Sequence, residues 1–521
     1  MERMTQYDQA TGTKWPAVRW TLPAAAVLSL LLPVGAFAQL GGGGGTPGAT
    51  GQGTQQHPTS GTASVQAAEQ AFEQIPSSAG STQVTQQDFK GSLVEGKATD
   101  GVLELTLDDA IQRGFRTNLG IILQGAQTQT ANAQRLQSLQ ALLPTITGAA
   151  TYTVSQVNLA AYGLKFPGFN PIVGPFQYFD FRAYLSQSLL NVNSIQTYIA
   201  SKHNFAGARL SAEDARNMVV LTVGNAYLLC IADASRIDAA IAERANAKVS
   251  LDQATANHEA GTSPKLDVLR AQVDYQNDDQ QVIQAQNNLE KDKLNLARAI
   301  GLPLDQKFHV AEAAPFTAAT PTTTEQAFAD ATRNRKDLAA SAERVKGAES
   351  QKSAARAEYY PTAGFSGDFG DLGTTPGHSH GTYTATGQIS MPILQIAKTQ
   401  GDIAVADANL QTAKARYSDQ VQQVNADVRD ALLDIEAAAK LVEATRSNVD
   451  LANEALSEAQ QRFRAGVADN LAVSDAQSQT EQANNQYISA LYQHNVAKLS
   501  LARAVGYAGT NYKQALQLGG K

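Results

Sequence analysis

AGTSPKLDVLRAQ (residues 260–272) and AGVADNLAVSDAQ (residues 465–477) stand 205 positions apart. They open two ungapped stretches of 42 residues that close on LNLARAIG at Gly301 and LSLARAVG at Gly506, with 16 identities between them. A duplication of this length has to be read before any local motif, because it points to a pseudo-symmetric architecture. Working upstream, residues 110–144 match 327–361 at an offset of 217, and both stretches end in Pro followed by Thr. Leu189-Leu190 then matches Ile393-Leu394 at an offset of 204, so the first half carries 13 extra residues, which the pattern places in a loop.

Composition narrows the class. The 521 residues are 43% apolar but only 7% aromatic and 17% charged, thin material for conventional enzyme cores. Abundant Ala and Gln suit long helices packed through small side chains. The net charge of −7 gives no basic face for a nucleic-acid partner. The single cysteine, Cys230, cannot form an internal disulfide and reads as a small buried apolar residue. Arg3, Lys14 and Arg19 precede an apolar run over residues 22–37 that ends in Ala36-Phe37-Ala38, so residues 1–38 read as an export signal cleaved before Gln39. Residues 39–104, rich in Gly, Gln, Ser and Thr, read as a low-complexity, flexible segment.

From Thr106 the TLDDA sequence opens a helix expected to run to about Leu143, stopped by Pro144. The period then changes. In residues 145–157, Ile146, Ala150, Tyr152 and Val154 alternate with Thr147, Thr151, Thr153 and Ser155, which predicts a strand with one apolar and one hydroxylated face. Residues 179–189, 362–369 and 382–391 alternate in the same way. Four strands cannot close a membrane barrel, and an open sheet in lipid leaves its edges unsatisfied, so several chains must contribute. The joining loops carry Tyr162, Phe166, Phe169 and Phe176 in the first half, and His378 and His380 in the second. Two histidines are too few for a structural zinc site.

After each strand pair comes a helical run of nearly 70 residues, 192–260 and 396–465, on the order of 100 Å long. Turns follow at Gly261 and Gly466, with Ser263 and Asp469 as expected caps for the returning helices at 264–300 and 470–505. No phosphate-cradling loop, zinc spacing or nucleophile motif appears, so the chain reads as a non-enzyme with no catalytic residue, cofactor or metal.

The doubled turn-and-return element, the doubled LARA(I/V)G ending, and LSQSLL and ISMPIL where strand gives way to helix resemble the TolC-like outer membrane efflux protein family. The resemblance covers residues 105–506. It divides the chain into a first repeat at 105–301, a linker at 302–322, a second repeat at 323–506 and a tail at 507–521. It implies a homotrimer whose 12-stranded barrel sits in outer membrane lipid, continued by a periplasmic α-helical barrel. It further implies docking of a periplasmic adaptor protein and an inner-membrane transporter. By the same resemblance, Asp475 and Asp267 fall at the periplasmic constriction, although Ala472 and Ala468 replace an acidic and a basic residue that family members often carry. Gly261, Gly466, Phe463, Arg464 and Val467 fall at the turns expected to meet the adaptor. Small-molecule efflux is the leading expectation, type I protein secretion the second, and a pore-free periplasmic coiled-coil scaffold the reading from another class.

Overall fold

The computed structural model describes residues 84–164, 167–311, 316–317, 322–465, 467, 470–510 and 512. The export signal, Phe166, Gly466, Asp469 and most of the tail lie outside the described residues. In chain order the elements of the first repeat are β1 (Leu103–Leu105), α1 (Leu107–Thr117), α2 (Leu119–Gln140), β2 (Thr145–Asn158), β3 (Ile172–Leu190), α3 (Val192–Glu259), α4 (Lys265–Ile300) and β4 (Phe308–Val310). The second repeat supplies α5 (Thr324–Asn334), α6 (Lys336–Arg356), β5 (Thr362–Gly373), β6 (Ser379–Ser390), α7 (Ile396–Arg464) and α8 (Asn470–Val505).

The two long helices have 68 and 69 residues, and each returning helix has 36. Along α3, the short helix α2 packs on the part near the strands and α4 on the remainder, while α6 and α8 perform the same service for α7. The helix expected over 106–143 is instead two helices. Thr106 caps α1 by accepting from the Asp109 amide, but Asn118 leaves the helical region and its side chain accepts from the Gly120 amide to start α2. The Phe89 ring fills the space beside Gly120, where a Cβ would stand 2.4 Å from it. Arg335 makes the corresponding break between α5 and α6.

Residues 84–104 depart from the flexible linker expected of them. Their composition is polar, yet they lie along the protein: Phe89 is buried, the Leu93 amide donates to the Thr117 carbonyl at 2.9 Å, and the Glu95 amide donates to Gly301 at 2.9 Å. The two glycines that end the LARA(I/V)G motifs explain why the motif closes on that residue. Gly301 and Gly506 have φ of 70° and 91°, the left-handed region glycine favours. A Cβ on either would also meet neighbouring backbone, the Leu93 carbonyl at 2.4 Å or the Arg335 amide nitrogen at 2.8 Å.

The main core lies about midway along α3. Val219, Val220, Val223 and Tyr227 are fully buried there with Leu105, Ile111, Leu296, Ile300 and Leu499. The Tyr227 hydroxyl donates to the Leu105 carbonyl at 2.9 Å, beside the parallel β1–β4 pair. Next to this core a buried ion network ties four helices. Arg335 holds Asp337 at 2.7 Å and Asp427 at 2.6 Å, and Arg503 of the second LARA motif reaches Asp214 at 3.0 Å.

The strands form one antiparallel sheet in the order β2-β3-β5-β6. β3 starts at Ile172, earlier than expected, because the first hairpin is longer than its alternation suggests. The sheet is inside-out by the standards of a soluble protein. Phe181, Tyr383 and Ile389 are 71%, 79% and 79% exposed on the apolar face. On the polar face the Arg182 guanidinium is largely enclosed, contacting Asp180, Asp368 and Thr382 and so bridging β3, β5 and β6. Most of the apolar face is thus open, with Leu185 and Phe365 partly covered, while the charged groups at the centre of the polar face pair with one another.

Candidate functional site at the helical turns

The ends of the helices farthest from the sheet are where each long helix turns back. α3 stops at Glu259, and Gly261 takes a left-handed φ of 73° so that the Thr262 amide can close on the Asn257 carbonyl at 2.9 Å. The expected cap is corrected here: Pro264 occupies the cap position of α4 without a side-chain bond, and the Ser263 hydroxyl donates to the Asp267 carboxylate at 2.5 Å. His258 closes the same turn, with its Nδ1 3.0 Å from the Ser263 carbonyl. In the second turn the Val467 amide donates to the Arg462 carbonyl at 3.1 Å.

Of the residues expected at this end, the structure separates three groups. Arg464 and Val467 are exposed, Val467 by 76%, and Gly261 has open space around it. Gly466 lies outside the described residues. Phe463 is corrected: it is buried with Ala254, Ala271, Leu456, Val473 and Ala476, joining the ends of all four helices, and offers no surface to a partner. The sequence could not show this, because an aromatic next to a turn sits equally well on either face of the last helical turn.

The two aspartates expected at the constriction also differ from each other. Asp267 is 7% exposed and engaged with Ser263, so within the chain it shapes the turn. Asp475 is exposed and lines a cavity of about 340 Å³ between α3, α4, α7 and α8. Four further acids line the same cavity: Glu243, Asp274, Asp278 and Glu481. Sequence reasoning missed them because they come from three helices and no spacing along one helix connects them. Burial, then the charge of Glu481 and of Asp278, pushes the Glu243 carboxyl up to about 7, although the Asn484 amide donates to it at 3.3 Å. Burial, then Glu481 and Asp274, pushes Asp278 up to about 6. Like-charged carboxyls held together out of water resist ionisation in this way. The arrangement therefore has a negative character that deepens as pH rises through neutrality.

Among the described residues no group of three or more potential ligands is arranged to hold a metal. His378 sits in the β5–β6 turn, its Nδ1 3.0 Å from the Thr375 hydroxyl.

Solved structures with this fold include outer membrane channels. The chain superposes on the outer membrane channel CmeC of Campylobacter jejuni with a TM-score of 0.68 at 17% identity, over 86% of this chain and 98% of that one. It superposes on the outer membrane protein VceC of Vibrio cholerae with a TM-score of 0.67 at 18% identity, over 77% and 96%. In sequence it is 27% identical to the outer membrane protein OprJ of Pseudomonas aeruginosa over 33% of this chain and 37% of OprJ. It is 24% identical to the toluene efflux pump outer membrane protein TtgC of Pseudomonas putida over 63% of this chain and 66% of TtgC. The chain thus spans less than two thirds of the length of these sequence relatives. The Outer membrane efflux protein family matches twice, over residues 123–302 and 328–507, one match for each copy of the internal repeat. With both halves of the duplication matched, the chain belongs to the outer membrane efflux protein family.

Proposed function

We propose that this chain is the exit duct of a tripartite efflux system, assembled as a homotrimer in the outer membrane. Three four-stranded sheets would close one 12-stranded barrel, and the long helices would continue it as a tunnel through the periplasm. The observation that carries this reading is the sheet: its apolar face is exposed, its polar face is satisfied, and both edge strands lack a partner among the described residues. Water would penalise that sheet twice, through the bare apolar face and through the open edges. A pore-free scaffold gives no account of it.

At the far end, Arg464, Val467 and Gly261 would meet a periplasmic adaptor, which links the duct to an inner-membrane transporter. Asp475 and the four acids beside it would favour cations at the narrow end of the tunnel, with Asp267 holding the turn that carries α4. The names of the relatives, the outer membrane protein of a toluene efflux pump among them, support small molecules as cargo.

The test is single-channel conductance of the detergent-extracted protein in a planar bilayer, with its oligomeric mass measured alongside. Discrete cation-selective openings from a trimer are expected, with selectivity reduced in Asp475→Ala. A soluble monomer that never inserts would sink the duct. Unchanged selectivity in Asp475→Ala would remove that residue from the constriction.

A further inference from the structure

The linker between the two repeats crosses α8 at two basic side chains that are out of water. His494 and Lys498 stand one turn apart on α8 and are 0% and 4% exposed. Both meet a single linker residue. The His494 Nε2 lies 3.1 Å from the Thr317 carbonyl oxygen, the Lys498 ammonium donates to the Thr317 hydroxyl, and the Phe316 and His494 rings stand with their centroids 5.0 Å apart.

A lysine is almost never fully buried without a carboxylate beside it. Lys498 nevertheless makes no ion pair among the described residues, and its bonded partner, Thr317, is neutral. Burial alone pushes its ammonium down to about 8. The protonation of His494 follows from its bonds. A carbonyl oxygen can only accept, so Nε2 carries the proton and donates to Thr317. The other ring nitrogen, Nδ1, is enclosed and has no partner. A second proton would have to sit on Nδ1, in a place without an acceptor and one turn from an ammonium group. Both features penalise the imidazolium. Burial accordingly holds His494 below the ordinary histidine range, with the Thr317 carbonyl opposing the shift and the Lys498 charge adding to it.

The other charges around α8 act elsewhere. Those that α3 and α4 bring, Asp233, Arg236 and Asp292, bear on Tyr492, and Asp330 of α5 bears on Tyr507. α7 meets this stretch through Ile435 and Ala438, packed on Ala497. Among the described residues Lys498 is therefore the one charged group that bears on His494.

We infer that His494, Lys498 and Thr317 form an acid-released clasp that fastens the inter-repeat linker to α8. The clasp lies within one chain and does not depend on the assembly proposed above. Its sign follows from proton binding. The clasped imidazole holds fewer protons than a released one, so the clasp is at full strength above the ordinary histidine value of about 6.5 and weakens as pH falls below it. At about pH 5.5 a released imidazole is roughly ten parts protonated to one part neutral, which loosens the clasp by at most about tenfold. Lys498 is charged in both states throughout this acid window and contributes no pH dependence of its own there.

Hydrogen exchange of the full-length, detergent-extracted protein tests this, read by mass spectrometry on peptides that contain Phe316 and Thr317. Protection, corrected for the intrinsic pH dependence of exchange, should fall by about three- to tenfold between about pH 7.5 and pH 5.5. Amides of residues 219–227, in the main core, should keep theirs. In His494→Gln, whose side-chain amide still donates to the Thr317 carbonyl but does not titrate, linker protection should be the same at both pH values. Lys498→Met removes the neighbouring charge, so the pH effect should shrink although the Thr317 hydroxyl loses its donor, and this variant keeps the test open if His494→Gln does not fold. Equal linker protection at both pH values in the wild type overturns the clasp. An undiminished pH effect in His494→Gln or in Lys498→Met overturns it as well. Loss of protection in 219–227 in parallel with the linker would show acid unfolding in its place.

Discussion

Glu243→Gln isolates the electrostatics of the acidic cavity. In the folded chain burial, with Glu481 and Asp278 nearby, raises the Glu243 carboxyl from 4.5 to about 7. An acid whose pKa is raised on folding contributes stability that is fully present below its unfolded value and is lost as pH rises through the folded value. The wild-type protein therefore loses stability between about pH 4.5 and pH 7. A rise from 4.5 to about 7 corresponds to roughly 3.4 kcal/mol. Because the side chain is only half-buried, solvent screening reduces this to on the order of 1–2 kcal/mol. Glutamine keeps the shape, still accepts the Asn484 amide proton and has no proton to lose. Melting of the detergent-extracted protein, followed by helical circular dichroism, reads the difference. Near pH 4 the variant should match the wild type. Near pH 8 it should melt higher by about 1–4 °C. A constant offset at both pH values, or a variant melting lower near pH 8, would refute the argument that Glu243 is held neutral by its surroundings.

Other substitutions test the remaining framework. Arg335→Met takes the nearest cation from the enclosed Asp337, which keeps only Arg503 at 3.9 Å, and from the partly exposed Asp427; it should cost on the order of 1–3 kcal/mol, seen as a lower melting temperature and lower recovery from membranes, and undiminished recovery and melting would show the network to be idle. Gly224→Val places a Cβ 2.6 Å from the Leu499 Cδ1 in a closed core, and should destabilise by about 1–3 kcal/mol in the same melts, whereas Gly125→Val, with open space, should not lose this contact energy. Phe463→Ala removes the ring that joins four helix ends, at a cost of about 3–5 kcal/mol locally, and should speed amide exchange in the last turns of α7 and the first of α8. Val467→Ala should leave that exchange unchanged, and equal effects from both would undo the distinction between a packed and an exposed residue.

The sequence alone carried the duplication, which is one half matching the other, the four amphipathic strands and the two long helices, which are periodicities of 2 and 3.6, and the first turn, which is marked by Gly261 in the left-handed region. The helix limits expected at 192–260 and 396–465 differ from α3 and α7 by a single residue. The breaks at Asn118 and Arg335 stayed hidden, since both depend on what packs against them: Phe89 on Gly120 in one case, and the two carboxylates that hold Arg335 in the other. Phe463, the close approach of residues 84–104 and the five-acid cavity were decided by tertiary structure for the same reason. A helix pattern states which residues share a stripe, but with Ala and Gln on every face it does not state which stripe meets which neighbour. The strands are the opposite case. Alternation there has only two possible faces, and a slip of one residue would move every side chain to the wrong one, so the pairing of β3 with β5 keeps the faces that the alternation already states.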